Sequence, residues 1–282
     1  MIKVLSPGFY AAMQDLGRIG YRTMGVPISG VMDSYSAKLA NMLLENSLNE
    51  AVLEVFFGGV RLKFLEDSYL CISGADFSVE LNDESIKLNA PFLATKGSEL
   101  KFGKRKYGAR SYVAVKGGLD VEKVLGSRSW YQGITSRMKL EKEMKIPLNT
   151  KAKYSWGKER GVLKTPKDHF LSEEIECSRG PEFDLLSSDL EEVLVAQQFT
   201  ISGDNSRMGY RLKEGIPNNL ESMLTSAVLP GTVQLTPSGK LVVLMRDCQV
   251  TGGYPRVLQL TEEGINRLAQ KTTNDTLRFV LK

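Results

Sequence analysis

Val52-Leu53-Glu54-Val55-Phe56-Phe57-Gly58-Gly59-Val60-Arg61-Leu62-Lys63-Phe64-Leu65 reads as two strands divided by a glycine pair. Val60, Leu62 and Phe64 alternate with Arg61 and Lys63, the period-two pattern of a strand with one wet face. Val52 to Phe56 is a short apolar run broken by Glu54. Similar runs recur outward in both directions: Ile2–Leu5, Tyr69–Ile72, Phe77–Leu81, Tyr112–Val115, Val193–Ala196, Val233–Leu235, Leu241–Met245 and Leu277–Leu281. Turn pairs punctuate them, among them Ser73-Gly74, Asn82-Asp83, Gly117-Gly118, Pro230-Gly231 and Ser238-Gly239. Many short strands at such spacing predict a mainly β chain, built as barrels or sandwiches. Two helices interrupt the pattern. One starts at Asp33, a good N-cap, and carries Ala37, Ala40, Leu43 and Leu44 at helical spacing. The other runs from Glu262 to Lys271 with Ile265, Leu268 and Ala269 on one face.

The chain has 282 residues, 42% hydrophobic and 25% charged, ordinary values for a globular protein with a real core. No apolar run approaches the ~18 residues of a membrane helix, and Pro7-Gly8 falls where a signal peptide would be apolar. These features predict a cytoplasmic protein without a membrane partner. Cys71, Cys177 and Cys248 are too scattered for a disulfide framework or zinc cluster and read as buried filler. The single histidine, His169, lies in a polar stretch and reads as a surface residue. It leaves little room for Ser-His-Asp or Cys-His catalysis. Neither a Walker-A pattern nor G-x-G-x-x-G occurs. Lys145 follows Glu143-Met144 without the second methionine of a biotin-carrier site, so no biotin is expected on this chain.

The net charge of +4 does not argue for nucleic acid, but its distribution is uneven. Residues 101–167 hold 18 Lys and Arg against five acids, whereas 172–192 hold eight acids and only Arg179. Solvated faces that meet each other or a partner explain this most simply. Tyr107, Tyr112, Trp130, Tyr131, Tyr154 and Trp156 do lie in the basic stretch, as a stacking groove would want. Between Lys145 and Ser172 breakers gather and apolar content falls, which suggests a linker. The expected division is 1–150, with a Gly-rich N-terminal loop, and 151–282, the linker and a second subdomain.

Four segments concentrate glycine, arginine and small polar residues. The first is Gln14-Asp15-Leu16-Gly17-Arg18 continuing through Gly25-Val26-Pro27-Ile28-Ser29-Gly30-Val31-Met32-Asp33 into a helix N-terminus. The second, Gly117-Gly118-Leu119 with Val124-Leu125-Gly126-Ser127-Arg128-Ser129, offers an arginine between two hydroxyls. The third is Ser202-Gly203-Asp204-Asn205-Ser206-Arg207-Met208-Gly209-Tyr210-Arg211. The fourth is Asp247-Cys248-Gln249-Val250-Thr251-Gly252-Gly253-Tyr254-Pro255-Arg256, whose glycine pair lets a ligand approach bare backbone. Each also reads as loop or hairpin structure alone, with its arginine paired internally.

Together these segments, with Pro7-Gly8, Ala40-Asn41, Asn46, Leu53-Glu54, Gly74-Ala75, Arg179-Gly180-Pro181, Pro230-Gly231 and Gln234, resemble a known family. It comprises KipA, the C subunit of bacterial 5-oxoprolinase (allophanate-hydrolase subunit 2) and the biotin-dependent carboxyltransferase domain of urea carboxylase. The resemblance covers nearly the whole chain in order. Its departures are Trp130 for a threonine, Val250 for the first threonine of the last motif, and Met13. It implies two cyclophilin-like β-barrel subdomains. It also implies one chain of an ATP-dependent enzyme that opens 5-oxo-L-proline to L-glutamate. Its partners would be a KipI-like 5-oxoprolinase B subunit, together with a LamB/YcsF-like A subunit. ATP would bind here, on a partner or at their seam. On that reading Arg128, Arg207 and Arg256 hold substrate carboxylate or phosphate, and Tyr210, Gln249 and Tyr254 bond the ring. Thr251, Gly252 and Gly253 border it, and Asp15, Asp33 and Glu54 serve proton transfer or metal binding. Two further roles remain open: a non-catalytic antagonist of a KipI-like kinase inhibitor, and the carboxyltransferase of a urea-processing system.

Overall fold

The computed structural model describes residues 1–149 and 165–282. The chain folds as two units, one of Met1–Arg18 with Ser29–Phe170 and one of Ile19–Ile28 with Leu171–Lys282. The division expected after residue 150 falls where the described residues stop. The units part at Phe170, and the short stretch 19–28 joins the second.

The first unit holds two sheets. One runs Lys145–Ile146, Ile2–Pro7, Val60–Phe64, Glu99–Lys101, Glu80–Leu81, Glu84–Ser85 from edge to edge. The other runs Tyr10–Gln14, Val52–Phe56, Tyr107–Val115, Ser68–Asp76, Phe92–Ala94. The stretch around Gly58-Gly59 therefore gives one strand to each sheet rather than a hairpin. Phe57, Gly58 and Gly59 all have left-handed φ (61°, 71° and 75°), which turns the chain abruptly between sheets. A Cβ on Gly58 would stand 2.9 Å from the Gly103 carbonyl, so only glycine fits there. Leu53 and Val55 from one sheet and Val60, Leu62 and Phe64 from the other share one core. Alternate positions of the second sheet, Val52, Cys71, Tyr112 and Ala114, point the other way. They pack against Ala37 and Ala40 of helix Ser34–Leu43 and against Leu44. Asp33 caps that helix as expected, its Oδ1 accepting Ser36 N at 3.1 Å.

The second unit is a closed seven-stranded barrel, in the order Glu174–Arg179, Arg256–Leu260, Thr232–Leu235, Lys240–Leu244, Gly209–Gly215, Phe199–Asn205, Thr276–Leu281. A parallel pairing of the first and last strands closes the ring. Phe199, Ile201, Tyr210, Leu212, Val233, Val243 and Phe279 are buried at alternating strand positions. Burial of each such large side chain contributes about 1.5–3 kcal/mol. Helix Glu262–Ala269 has Thr261 as its cap and buries Ile265, Leu268 and Ala269. Val193–Ala196, read above as a strand, is instead the last turn of helix Ser188–Ala196. A four-residue apolar run has no period of its own, and here the helix buries Leu194 while Val193 stays exposed. The mainly β architecture with a few short helices is otherwise as expected.

Candidate functional site

The barrel carries a cleft of about 640 Å³ on its outer face. Strand alternation places it there: Tyr210 and Leu212 point inward and are buried, so Gly209 and Arg211 point outward. Gly209 pairs with Leu244, Arg211 with Val242, and Val242 with Gln234. The result is a cross-strand row of guanidinium, apolar side chain and amide. Gln249 and Tyr254 form part of the wall, with Asp204, Asn205 and Ser206 on another side. Gln234 donates Nε2 to the Tyr254 carbonyl at 3.4 Å. The lining mixes neutral amides and hydroxyls with one cation, Arg211, and one anion, Asp204.

Two ion pairs, one buried and one half-buried, hold the loops that frame this cleft. Arg207 meets Asp247 bidentately, Nε to Oδ2 at 2.8 Å and Nη2 to Oδ1 at 3.0 Å, while Asp247 N donates to the Arg207 carbonyl at 2.8 Å. Arg256 meets Glu182 through Nε at 2.9 Å and Nη2 at 2.7 Å, and its Nη1 donates to the Ala227 carbonyl at 2.8 Å. Hydrogen bonds from the Arg256 side chain hold the Glu182 carboxyl below its usual range, and the same bonds raise the Arg256 guanidinium. Arg22 adds a third brace, its Nη2 donating to the carbonyls of Val228 and Val250.

Of the residues expected to bind substrate, Gln249 and Tyr254 line the cleft. Arg207 and Arg256 spend their guanidinium groups on carboxylates of the same unit, and Tyr210 is fully buried in the barrel. Thr251 and Gly252 form a short strand paired with Ser226–Ala227, and the Gly253 carbonyl accepts Met223 N at 2.8 Å. Arg128 belongs to the first unit. The two serines beside it are turned to Asp15, whose Oδ1 accepts Ser127 Oγ at 2.6 Å and Ser129 Oγ at 2.7 Å.

The three expected acid–base residues also lie in the first unit, each supplied with donors. Asp15 further accepts Gly17 N at 2.8 Å and Arg128 N at 2.6 Å. Glu54 Oε2 accepts Met32 N at 2.8 Å, with Arg110 Nε at 3.8 Å from Oε1. Asp33 Oδ2 accepts Ser36 Oγ at 2.6 Å and lies 2.8 Å from His169 Nε2. His169 is thus buried, not on the surface. Its ring packs on Tyr35 and Phe170, contacts that the polar local sequence does not announce. Tyr112 OH accepts Asp33 N at 2.8 Å, and burial, with Glu54 and Asp33 adding, pushes that phenol well up. Among the basic-stretch aromatics, Tyr112 and Trp130 are core and Tyr107 packs on Phe170, while Tyr154 and Trp156 lie outside the described residues. Among the described residues no group of three or more His, Cys, Asp or Glu could hold a metal ion, and no helix is long and apolar enough to cross a membrane.

Arg211 is the cleft-lining cation that sequence reading passed over. The signal lay in the alternation Tyr210-Arg211-Leu212, which turns the second arginine of its motif outward.

A two-sheet unit joined to a barrel with this outer cleft defines a class. Residues 24–281 match the family described as "Carboxyltransferase domain, subdomain A and B", and the chain belongs to that family. It is 31% identical to the C subunit of Escherichia coli 5-oxoprolinase, over 99% of this chain and 91% of that one. The C subunit of Haemophilus influenzae 5-oxoprolinase is 30% identical over 99% and 90%. The urea amidolyase of Lachancea kluyveri is 41% identical over 130 residues, 46% of this chain and 7% of that protein. Among solved structures, TTHA0988 superposes with a TM-score of 0.87 at 28% identity, covering 99% of this chain. This chain spans about half of that one, 55%. The Kluyveromyces lactis urea amidolyase superposes at 0.86 with 27% identity, over 99% of this chain and 18% of that one.

Proposed function

We propose that the chain is the C-type subunit of a 5-oxoprolinase assembly, opening the lactam of 5-oxo-L-proline to L-glutamate at the expense of ATP. The observation that carries this reading is near end-to-end similarity to two proteins named as that subunit. The barrel cleft supports it chemically. Its amides and hydroxyls suit a small polar lactam, whose stable amide must be positioned and polarised before water can add. The chain's contribution is to bind and orient the ring, with Gln249 and Tyr254 as hydrogen-bonding groups. The lining holds a single arginine and a single aspartate, little positive charge to set against the phosphates of a nucleoside triphosphate. On this reading ATP binds a partner chain, the KipI-like B-type one or the LamB/YcsF-like A-type one, or the seam of this chain with it.

The test is ATP hydrolysis with and without 5-oxoproline, by this chain alone and with its B- and A-type partners. Glutamate formation that requires this chain supports the reading. Tight complex formation without turnover overturns it in favour of a regulatory partner. The local 41% identity to a urea amidolyase favours one rival, carboxyl transfer to urea from biotin carried on another chain. Urea consumption with a carboxylated biotin carrier, without glutamate formation, would establish it instead.

A further inference from the structure

Arg211 differs from the other arginines that frame the cleft. Arg207 and Arg256 are neutralised by buried carboxylates, and Arg22 is spent on carbonyls. Arg211 is exposed on strand Gly209–Gly215, lines the cleft, and has no acidic partner among the described residues. Arg211 is exposed, and the lining amides run from buried Gln234 to exposed Gln249, so the guanidinium is free to turn towards a ligand that enters the cleft.

The register gives the spacing. Arg211 lies opposite Val242, and Val242 opposite Gln234, so the guanidinium and the amide start two strands apart, about 10 Å between backbones. Val242 forms the apolar floor between them. Both flanking side chains rise from the same face and can close on a ligand of a few ångströms. Asp204 sets the charge of that ligand. It lines the same cleft, its N–H is bonded to Ser202 Oγ at 3.1 Å, and no ion pair joins it to Arg211 among the described residues. A second anion on the ligand would face this carboxylate, whereas an N–H would be welcomed by it.

We propose that Arg211 is the carboxylate anchor of the cleft, selecting a small ligand with one carboxylate and a neighbouring amide. The inference rests on the cleft being the lactam site. A bidentate guanidinium–carboxylate pair in a partly enclosed cleft is a charge-assisted contact, and losing it weakens binding roughly 10- to 100-fold.

The experiment titrates the full-length chain with 5-oxo-L-proline and with 2-pyrrolidinone, the same lactam lacking the carboxylate. The variants are Arg211→Met, Arg211→Lys and Gln249→Ala, with melting temperature as the check on folding. The expected result is that wild type prefers 5-oxoproline by roughly 10- to 100-fold. Arg211→Met removes that preference by weakening 5-oxoproline alone, Arg211→Lys restores part of it, and Gln249→Ala weakens both ligands. If Gln249→Ala weakens both but Arg211→Met keeps the preference, the cleft reading stands and the Arg211 assignment is overturned. If wild type binds neither ligand, or no variant changes binding, both fall together.

Discussion

Glu182 and Arg256 show how a residue with the look of a binding group is committed elsewhere. Glu182 Oε2 accepts both the backbone N of Arg256 at 2.8 Å and its Nε at 2.9 Å, and Oε1 accepts Nη2 at 2.7 Å. Glu182→Gln keeps the shape and removes the charge, and should cost about 1.5–3 kcal/mol in urea unfolding. The carboxyl is held below its usual range in the folded state, so its contribution is present above the unfolded value near pH 4.3. It is lost as pH falls from there through the depressed native value. The stability gap between wild type and Glu182→Gln should therefore be full at pH 7 and close in acid. A gap independent of pH would show that packing, not charge, holds Arg256. Arg207 and Asp247 make a harsher case, because their side chains are only 10% and 11% exposed. Asp247→Ala leaves the guanidinium buried without its carboxylate and should cost about 3–5 kcal/mol, measured as a lowered urea midpoint.

At the scale of elements, the barrel's glycines fix how closely strands and loops approach. Gly180 follows strand Glu174–Arg179, and a Cβ there would overlap the Arg256 carbonyl oxygen. Gly180 N donates to the Val257 carbonyl at 2.9 Å and Glu182 N to the Arg256 carbonyl at 3.2 Å, so a methyl would push apart the two backbones that align the ion pair. Gly180→Ala should destabilise by about 1–3 kcal/mol with an unchanged urea slope, as overpacking does. It should not be additive with Glu182→Gln, since both act on the same contact. This local logic also explains what the sequence makes legible. Alternation in Val60–Phe64 and the Asp33 cap are set by near neighbours, and both appear as read. The helical nature of Val193–Ala196 and the burial of His169 depend on distant packing, which a short window does not contain. Gln249 and Tyr254 of the motifs line the barrel cleft, but which arginine stays free was not legible there. Spacing along the chain does not say that Glu182 and Asp247 stand opposite Arg256 and Arg207.

Across the whole molecule, the cysteines report on each unit separately. Cys71 belongs to the first unit, between its sheet and helix, whereas Cys177 and Cys248 belong to the second. Burial pushes Cys71 and Cys177 up to about 12 and Cys248 up to about 11. At pH 8 an unfolded thiol near pKa 8.5 is about a quarter ionised, while these are ionised to roughly one part in a thousand or less. The native protein should therefore resist alkylation at pH 8, and all three thiols should react in denaturant. Mass-resolved labelling along a urea gradient would show Cys71 reacting as the first unit opens, and Cys177 and Cys248 together as the barrel opens. The same shifts make an alkaline prediction. Their folded values lie above the unfolded one, so the stability they confer is full below about pH 8.5. It declines as pH rises towards 11 for Cys248 and 12 for the other two. Rapid labelling of Cys248 in the native state, with the barrel otherwise intact, would mean that the loop 245–250 opens independently. The Arg207–Asp247 pair would then be a weaker clamp on the cleft wall than its geometry implies.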